Sequence, residues 1–224
     1  MSKPWTELVS ADDDAIDQLR EWCEASGAQI LPAEPTDGQR VLGWLQVTTR
    51  SPLGAVALHT GGLLVDGGWL RVLGAGSAAL PRALDRWNQV EGGRRCDLGL
   101  LVADDVLGGC FVWAETTRTI HYLAPDTLQW EDLELGYGDW LAGCLGDGLA
   151  AFYQDLRWPT WQQDIAPVGG DRGLSVMPPL WAGATGARSY RAVPMTELWS
   201  LAMEIGPQLA ELPDGAQVEL VVKE

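Results

Sequence analysis

The sequence has 224 residues, of which 46% are hydrophobic and 21% charged, a composition that supplies a full apolar core and excludes a disordered chain. Its 31 acidic residues outnumber the 15 basic ones, so the formal net charge is −16. Because proteins that bind nucleic acids or anionic membranes need basic surfaces, this charge excludes both classes of partner.

The first predicted elements are helices. Apolar residues at helical spacing predict a helix over residues 12–25, and Ser10 and Asp13, at the spacing of a capping box, mark its start. A short apolar piece follows at residues 29–31, and an apolar stripe predicts a second helix over residues 39–46.

Cap residues define a third, short helix. Ser51 suits the N-cap, Pro52 suits the first helical position, and Gly61 and Gly62 suit a tight exit. A fourth helix is predicted over residues 79–87.

Antiparallel strands are predicted in the middle of the chain. Asp66 and Gly67 form the dipeptide most suited to a two-residue hairpin turn, between the apolar runs LLV and WLRVLG. A second hairpin pairs LGLLVA with CFVWA through the loop DDVLGG, and TIHYL adds a further strand. Strands with such short connections form a meander.

The last third of the chain is predicted to be mainly helical. Residues 137–156 carry apolar side chains at helical spacing and predict one long core helix, which a short helix over residues 158–165 follows. The segment from there to Arg188 contains glycines and prolines and is predicted as turn and loop. A final helix is predicted over residues 195–211, and QVELVV, residues 217–222, predicts a last strand.

This order of elements predicts the fold class. Helices before, between and after antiparallel strands favour an α+β fold over a parallel α/β sheet. No repeat or linker divides the chain, so residues 1–224 are predicted to form a single domain. Its core covers about residues 1–182, and residues 183–224 form a helix-strand extension of the same domain.

A glycine motif after a predicted strand resembles a dinucleotide-binding turn. Gly74, Gly76 and Ala79 have the spacing GxGxxA, which would direct a helix N-terminus at a pyrophosphate. Pro81 lies in the first turn, and Asp97 precedes its strand instead of following it. We therefore expect a strand-to-helix turn and no cofactor.

Histidines and cysteines are few. His59 and His121 have no partner at a recognised ligand spacing, and the four cysteines form no CxxC pair, so neither a metal site nor a disulfide scaffold is expected. The start MSKPWTELVSADDD lacks the features of a secretory signal, and no apolar run approaches the roughly 18 residues of a membrane span. We expect a cytoplasmic, reduced protein.

Two carboxylates leave a catalytic alternative open. Asp104 and Asp105 lie in a predicted loop between strands, and the twelve tryptophans could line a sugar site near them. The alternative function is therefore a small-molecule or carbohydrate-binding protein, or an enzyme, with a Trp-lined pocket. No motif assigns a catalytic residue, so we expect no enzyme activity.

An acidic, aromatic tract is the candidate partner-binding site. Residues 119–156 contain seven acids and no lysine or arginine. Aromatic anchors, with Tyr137 and Trp140 among them, inside an acidic rim are typical of a surface that binds a basic partner. The candidate binding residues are Asp126, Trp130, Glu131, Asp132, Glu134 and Asp139.

Several segments together resemble a known bacterial family. They are QVTTRSPLGAVALHTGGLLVDGGWLRVLGAG, LLVADDVLGGCFVW, IHYLAPDTLQWEDLELGYGDWL and FYQDLRWPTW. In these segments the chain is similar to the domain-of-unknown-function 2625 family. That family has no established activity, so the resemblance implies none for this chain. More distantly, the layout and the TGG turn resemble the SUKH superfamily, which implies an immunity-like inhibitor that binds a toxin. We expect a non-catalytic protein-binding domain whose acidic face meets a basic partner, a toxin in the immunity-like case.

Overall fold

Helices and antiparallel strands alternate along the chain in a computed structural model that describes residues 2–90, 93–182 and 187–213. The α-helices are α1 (Ile16–Ser26), α2 (Pro35–Leu45), α3 (Pro52–His59), α4 (Leu84–Asn88), α5 (Tyr137–Cys144), α6 (Gly148–Phe152), α7 (Trp161–Ile165) and α8 (Met195–Ala210). The strands are β1 (Gln29–Leu31), β2 (Gly62–Val65), β3 (Leu70–Leu73), β4 (Gln89–Val90), β5 (Gly93–Arg94), β6 (Gly99–Asp105), β7 (Cys110–Ala114), β8 (Ile120–Leu123), β9 (Trp130–Asp132), β10 (Arg172–Met177) and β11 (Ser189–Pro194). The α+β class is confirmed.

The main sheet has seven antiparallel strands in the order β1-β2-β3-β6-β7-β8-β9. Its edges are therefore β1 and β9. Two smaller hairpins, β4–β5 and β10–β11, form separate two-stranded sheets. The predicted meander is confirmed for β6, β7 and β8.

Local cap chemistry explains where the first helices begin. The Ser51 hydroxyl accepts a hydrogen bond from the Gly54 N–H at 3.1 Å, as predicted for the start of α3. The predicted start of α1 is wrong, because the helix begins only at Ile16, whose N–H donates to Asp14 Oδ1 at 3.0 Å. Ser10 donates its own backbone N–H to the Thr49 hydroxyl instead.

The glycine motif does not open a helix. The predicted helix over residues 79–87 begins only at Leu84. The Leu84 N–H donates a hydrogen bond to the Gly74 carbonyl at 2.8 Å. Ala83 is extended, with ψ of 144°. The chain from Gly74 to Ala79 is therefore a loop, and the glycine motif does not lead directly into a helix.

The first hairpin has a longer connection than predicted. Val65 pairs with Leu70, and a single turn of 3-10 helix at Asp66–Gly68 joins the strands. Asp66, Gly67 and Gly68 all have positive φ angles, which the two glycines adopt without steric cost.

Three segments in the second half differ from expectation. The predicted long helix over residues 137–156 is broken into α5 and α6 around Gly146. β9 is a strand that the sequence analysis does not predict. β10 lies in the segment predicted as turn and loop, and it pairs with β11, which follows that segment. The final helix, α8, is confirmed, whereas the strand predicted at residues 217–222 lies outside the described residues.

Candidate functional site

The acidic tract forms one edge of the main sheet. β9 is the terminal strand and pairs with β8, so that Glu131 lies opposite Tyr122 and Asp132 opposite His121. The side chains of Glu131, Asp132 and Glu134 are exposed. We call these three residues the acidic edge.

A bulge after β9 determines how these carboxylates are presented. The Leu133 N–H donates to the Ile120 carbonyl at 2.9 Å, and the Ile120 N–H donates to the Leu135 carbonyl at 2.8 Å. Glu134, between them, has a φ of 56°, and its N–H donates to Asp132 Oδ1 at 2.8 Å. That hydrogen bond lowers the pKa of the Asp132 carboxyl, because it stabilises the charged form.

An apolar groove of about 220 Å³ lies beside the acidic edge. It is lined by Phe111, Leu133, Leu135, Trp140, Gly143, Cys144, Gly148, Leu149 and Phe152. Leu135 and Phe152 are 41% and 43% exposed, although they are large apolar side chains. Both side chains line this groove and are left in contact with water.

The acids of this region are not neutralised by direct ion pairs with lysine or arginine in the part of the chain that the structure describes. Among the described residues, none of the seven acids in residues 119–156 forms an ion pair with a lysine or arginine. Asp132 instead contacts a histidine, since its Oδ2 lies 3.4 Å from His121 Nε2. An uncompensated field of one sign attracts partners of the opposite sign.

The structure brings together some of the predicted binding residues and separates others. Trp130 belongs to β9 with Glu131 and Asp132, and its indole is half-buried against the core. Asp139 is exposed in the first turn of α5, where the helix dipole favours an acid. Asp126 is exposed but lines a different cavity, of about 280 Å³, together with Asp155, Arg157 and Arg188.

The aromatic anchors predicted in this tract are partly wrong. Tyr137 and Trp140 are only 6% and 3% exposed, and the Trp140 ring packs 5.1 Å from that of Phe111. The exposed apolar residues are Leu135 and Phe152, which sequence reasoning missed. A single helical phase through residues 137–156 places Phe152 on the core side of the predicted helix, whereas the break around Gly146 resets that phase.

Asp104 is part of a buried ionic cluster. Arg71 on β3 lies opposite Asp104 on β6, and its Nη2 is 2.6 Å from Asp104 Oδ1. Arg82 forms a second, bidentate pair with the same carboxylate and also donates to the Gly170 carbonyl. Asp104 and Asp105 end a strand instead of lying in the predicted loop, and they are 1% and 0% exposed.

Asp105 is held by hydrogen-bond donors on both oxygens. Its Oδ1 accepts from the N–H groups of Leu107 and Gly109, each at 2.9 Å, and its Oδ2 accepts from the hydroxyls of Tyr122 and Tyr153. Burial raises the pKa of this carboxyl, against the effect of those donors. A Cβ at Gly109 would lie 2.1 Å from Asp105 Oδ2, so only glycine fits there. Neither Asp104 nor Asp105 lines the five cavities formed by described residues at Trp44, Leu107, Phe111, Asp126 and Leu64.

The other chemically reactive side chains are dispersed. All four cysteines are buried and free, and burial raises the pKa of the Cys23 thiol to about 11. His59 Nε2 lies 2.9 Å from Asp14 Oδ2, near the start of α1. Within residues 2–90, 93–182 and 187–213, no three His, Cys, Asp or Glu side chains are grouped as a metal site requires. Over the same ranges, no helix combines the length and apolarity needed to cross a bilayer.

Comparisons with known proteins identify relatives without a described activity. The model of a family described as "Protein of unknown function DUF2625" matches residues 5–198. A putative uncharacterized protein of Escherichia coli, YbfG, is 36% identical over 204 residues, which cover 87% of this chain and 93% of that protein. An uncharacterized protein of Haemophilus influenzae is 35% identical over 185 residues, covering 78% and 81%.

No solved structure matches the chain, so the SUKH-like layout stays a prediction. The family match covers most of the sequence and agrees with two bacterial relatives above 30% identity. This chain is a member of the DUF2625 family.

Proposed function

We propose that this protein is a non-catalytic binding domain whose acidic edge and apolar groove hold a basic, amphipathic segment of another protein. The observation that supports it is the juxtaposition of three exposed carboxylates with exposed Leu135 and Phe152. The apolar side chains would contribute affinity through burial, and the carboxylates would select a basic partner and accelerate its association.

The charge pattern favours a basic occupant over a second copy of this chain. A second copy would bring its own net charge of −16 to a tract, residues 119–156, that contains no lysine or arginine. Like charges across an interface oppose association, whereas lysines and arginines on a partner would pair with Glu131, Asp132 and Glu134.

As the first candidate partner we propose a toxin, which this protein would neutralise as an immunity-like inhibitor. Nuclease toxins carry basic surfaces because they bind phosphates, and an acidic domain that covers such a surface blocks access of the nucleic acid. Co-expression with a toxin encoded by a neighbouring gene tests this form of the function. Rescue of growth by the wild type, and its loss on charge reversal of the acidic edge, are the expected results.

The direct test uses a synthetic peptide that forms a basic amphipathic helix of Lys and Leu. Binding is measured by fluorescence anisotropy at low and high salt. We expect saturable binding that weakens with salt and is lost in the triple variant Glu131→Lys, Asp132→Lys and Glu134→Lys. Phe152→Asp should also abolish binding, because it places a charge in the apolar groove.

A matched control separates the site from the overall charge. Glu7, Glu21 and Glu24 are exposed residues near the N-terminus, and their reversal to Lys changes the net charge by the same amount. This control variant should bind nearly as well as the wild type. An equal loss of peptide affinity in the two triple variants would contradict the proposed binding surface, because affinity would then depend only on total charge.

The alternative function, a small-molecule or carbohydrate binder or an enzyme that uses Asp104 and Asp105, is less well supported. Both carboxylates are buried and already satisfied by arginine, tyrosine and backbone donors. A substrate could reach them only if this network opened.

A further inference from the structure

Another cavity, whose lining includes no residue of the acidic edge, is amphipathic. It has a volume of about 400 Å³ and lies between the end of α2, the β4–β5 hairpin and the adjoining ends of β6 and β7. Its lining includes Trp44, Trp113, Gln89, Arg94 and Glu115. Ligand pockets typically measure about 300–1,000 Å³, so this volume suits one small molecule.

The two indoles provide apolar surface in this cavity. Trp44 is 37% exposed at the end of α2, although tryptophan is normally well buried. Trp113 is oriented by the protein itself, since its Nε1 donates to the Arg118 carbonyl at 3.1 Å and the Arg118 guanidinium lies 4.9 Å from its ring centroid. The wall of the cavity that the Trp113 indole forms is therefore preorganised.

The polar groups in the lining are a donor and an acceptor side by side. Arg94 Nη1 pairs with Glu115 Oε1, and the two side chains remain 60% and 52% exposed. A guanidinium offers five N–H donors and a carboxylate several acceptor positions, so a single ion pair leaves both with unused capacity. Because the two charges offset each other, this pair does not favour an anionic ligand.

A glycine brings the two strand ends together at this cavity. A Cβ at Gly99 would lie 2.2 Å from the Trp113 carbonyl oxygen and 3.0 Å from the Ala114 Cα, both in the backbone of β7. Only glycine lets β6 begin so close to the segment that carries Trp113 and Glu115.

We propose that this cavity binds a neutral sugar, a mono- or disaccharide. The C–H face of a pyranose would stack on the indole of Trp44, since the aromatic face carries partial negative charge. Its hydroxyl groups, which both donate and accept, match the paired Arg94 and Glu115. The site uses none of the residues of the acidic edge, so it is independent of the proposed protein partner.

The test is a titration of the full chain with a panel of neutral sugars, glucose, galactose, N-acetylglucosamine, maltose and cellobiose, monitored by calorimetry and tryptophan fluorescence. Trp44→Ala should weaken binding about tenfold, because it removes the stacking contact. Glu115→Gln and Arg94→Gln, at exposed positions, should weaken it without affecting folding. Trp130→Ala, in β9 and outside the lining of this cavity, is the control and should leave sugar affinity unchanged.

The outcomes are distinct. Saturable binding of at least one sugar, reduced by Trp44→Ala and Glu115→Gln but not by Trp130→Ala, supports the site. The proposal is overturned if no sugar in the panel binds, or if binding is unchanged in the cavity variants. Preferential binding of AMP or free amino acids in parallel titrations would also overturn the assignment to a neutral sugar.

Discussion

The hydroxyl of Tyr122 donates a 2.7 Å hydrogen bond to Oδ2 of Asp105, and both side chains are buried. Tyr137 is also buried, but its hydroxyl has no hydrogen-bond partner among the described residues. Substituting each tyrosine with phenylalanine therefore removes the same hydroxyl group, which is hydrogen-bonded in Tyr122 and has no partner in Tyr137.

Tyr122→Phe should lower the free energy of unfolding by about 1–3 kcal/mol, because it removes a donor from a buried carboxylate. Tyr137→Phe should be neutral or stabilising, since it removes a buried hydroxyl without a partner. Urea unfolding followed by tryptophan fluorescence measures both. Equal effects would contradict the hydrogen-bond assignment around Asp105.

Asp104→Ala should be among the most destabilising single substitutions in the chain. It leaves Arg71 and Arg82 buried without their carboxylate, and removing one member of a buried ion pair costs about 3–5 kcal/mol. Glu115→Ala, which removes the exposed partner of Arg94, should cost at most about 1 kcal/mol. Chemical unfolding compares the two, and similar losses would show that Asp104 is not buried as described.

The four cysteines should resist alkylation in the folded protein. All are buried, and burial raises the thiol pKa values, to about 12 for Cys144, so the reactive thiolate is scarce at neutral pH. Mass spectrometry after iodoacetamide treatment at pH 8 should find no label in native buffer and four labels in urea. Rapid native labelling of any one cysteine would indicate local opening at that position.

Asp164 should contribute to an acid-dependent loss of stability. Hydrogen bonds from the Trp158 indole and the Thr160 hydroxyl lower the pKa of its carboxyl. Because the folded-state pKa lies below the unfolded value of about 3.9, this stabilisation is present above that pH and is lost as the pH falls towards the folded-state pKa.

Thr160→Val should therefore raise the pKa of Asp164, as measured by carboxyl-carbon NMR titration, and should reduce this acid dependence. Thr127→Val, at the β8–β9 turn, is the control and should leave the titration of Asp164 unchanged. No shift in the Thr160 variant would show that the Thr160 hydroxyl does not act on this carboxyl.

Elements with strong local signals were predictable from sequence. Ser51 and Pro52 define the start of α3 through groups at most three residues apart. The hairpin of β6 and β7 was predictable because two apolar runs flank a short connection. The carboxylates of the acidic edge were also predictable, since a tract without basic residues is visible in the sequence itself.

Features that depend on distant partners were not predictable. β9 exists because β8 offers it backbone hydrogen bonds, and its three residues carry little strand signal of their own. The sequence predicts Asp104 in a loop because the arginines that pair with it are distant in sequence, Arg82 by 22 residues. The exposure of Phe152 depends on the interruption between α5 and α6, which a single helical period does not reveal.

The buried guanidinium of Arg71 limits when its hydrogen bonds can form during synthesis of the chain. One of its acceptors is the carbonyl of Arg172, 101 residues later, and Arg82 likewise donates to Gly170, 88 residues later. While a ribosome is still translating the middle of the chain, β3 and β6 can pair, but these arginines lack acceptors that have not yet been made. The hydrogen bonding of these two buried guanidinium groups is therefore complete only after residues 170–172 have been made, whereas the strands of the main sheet all lie earlier in the chain.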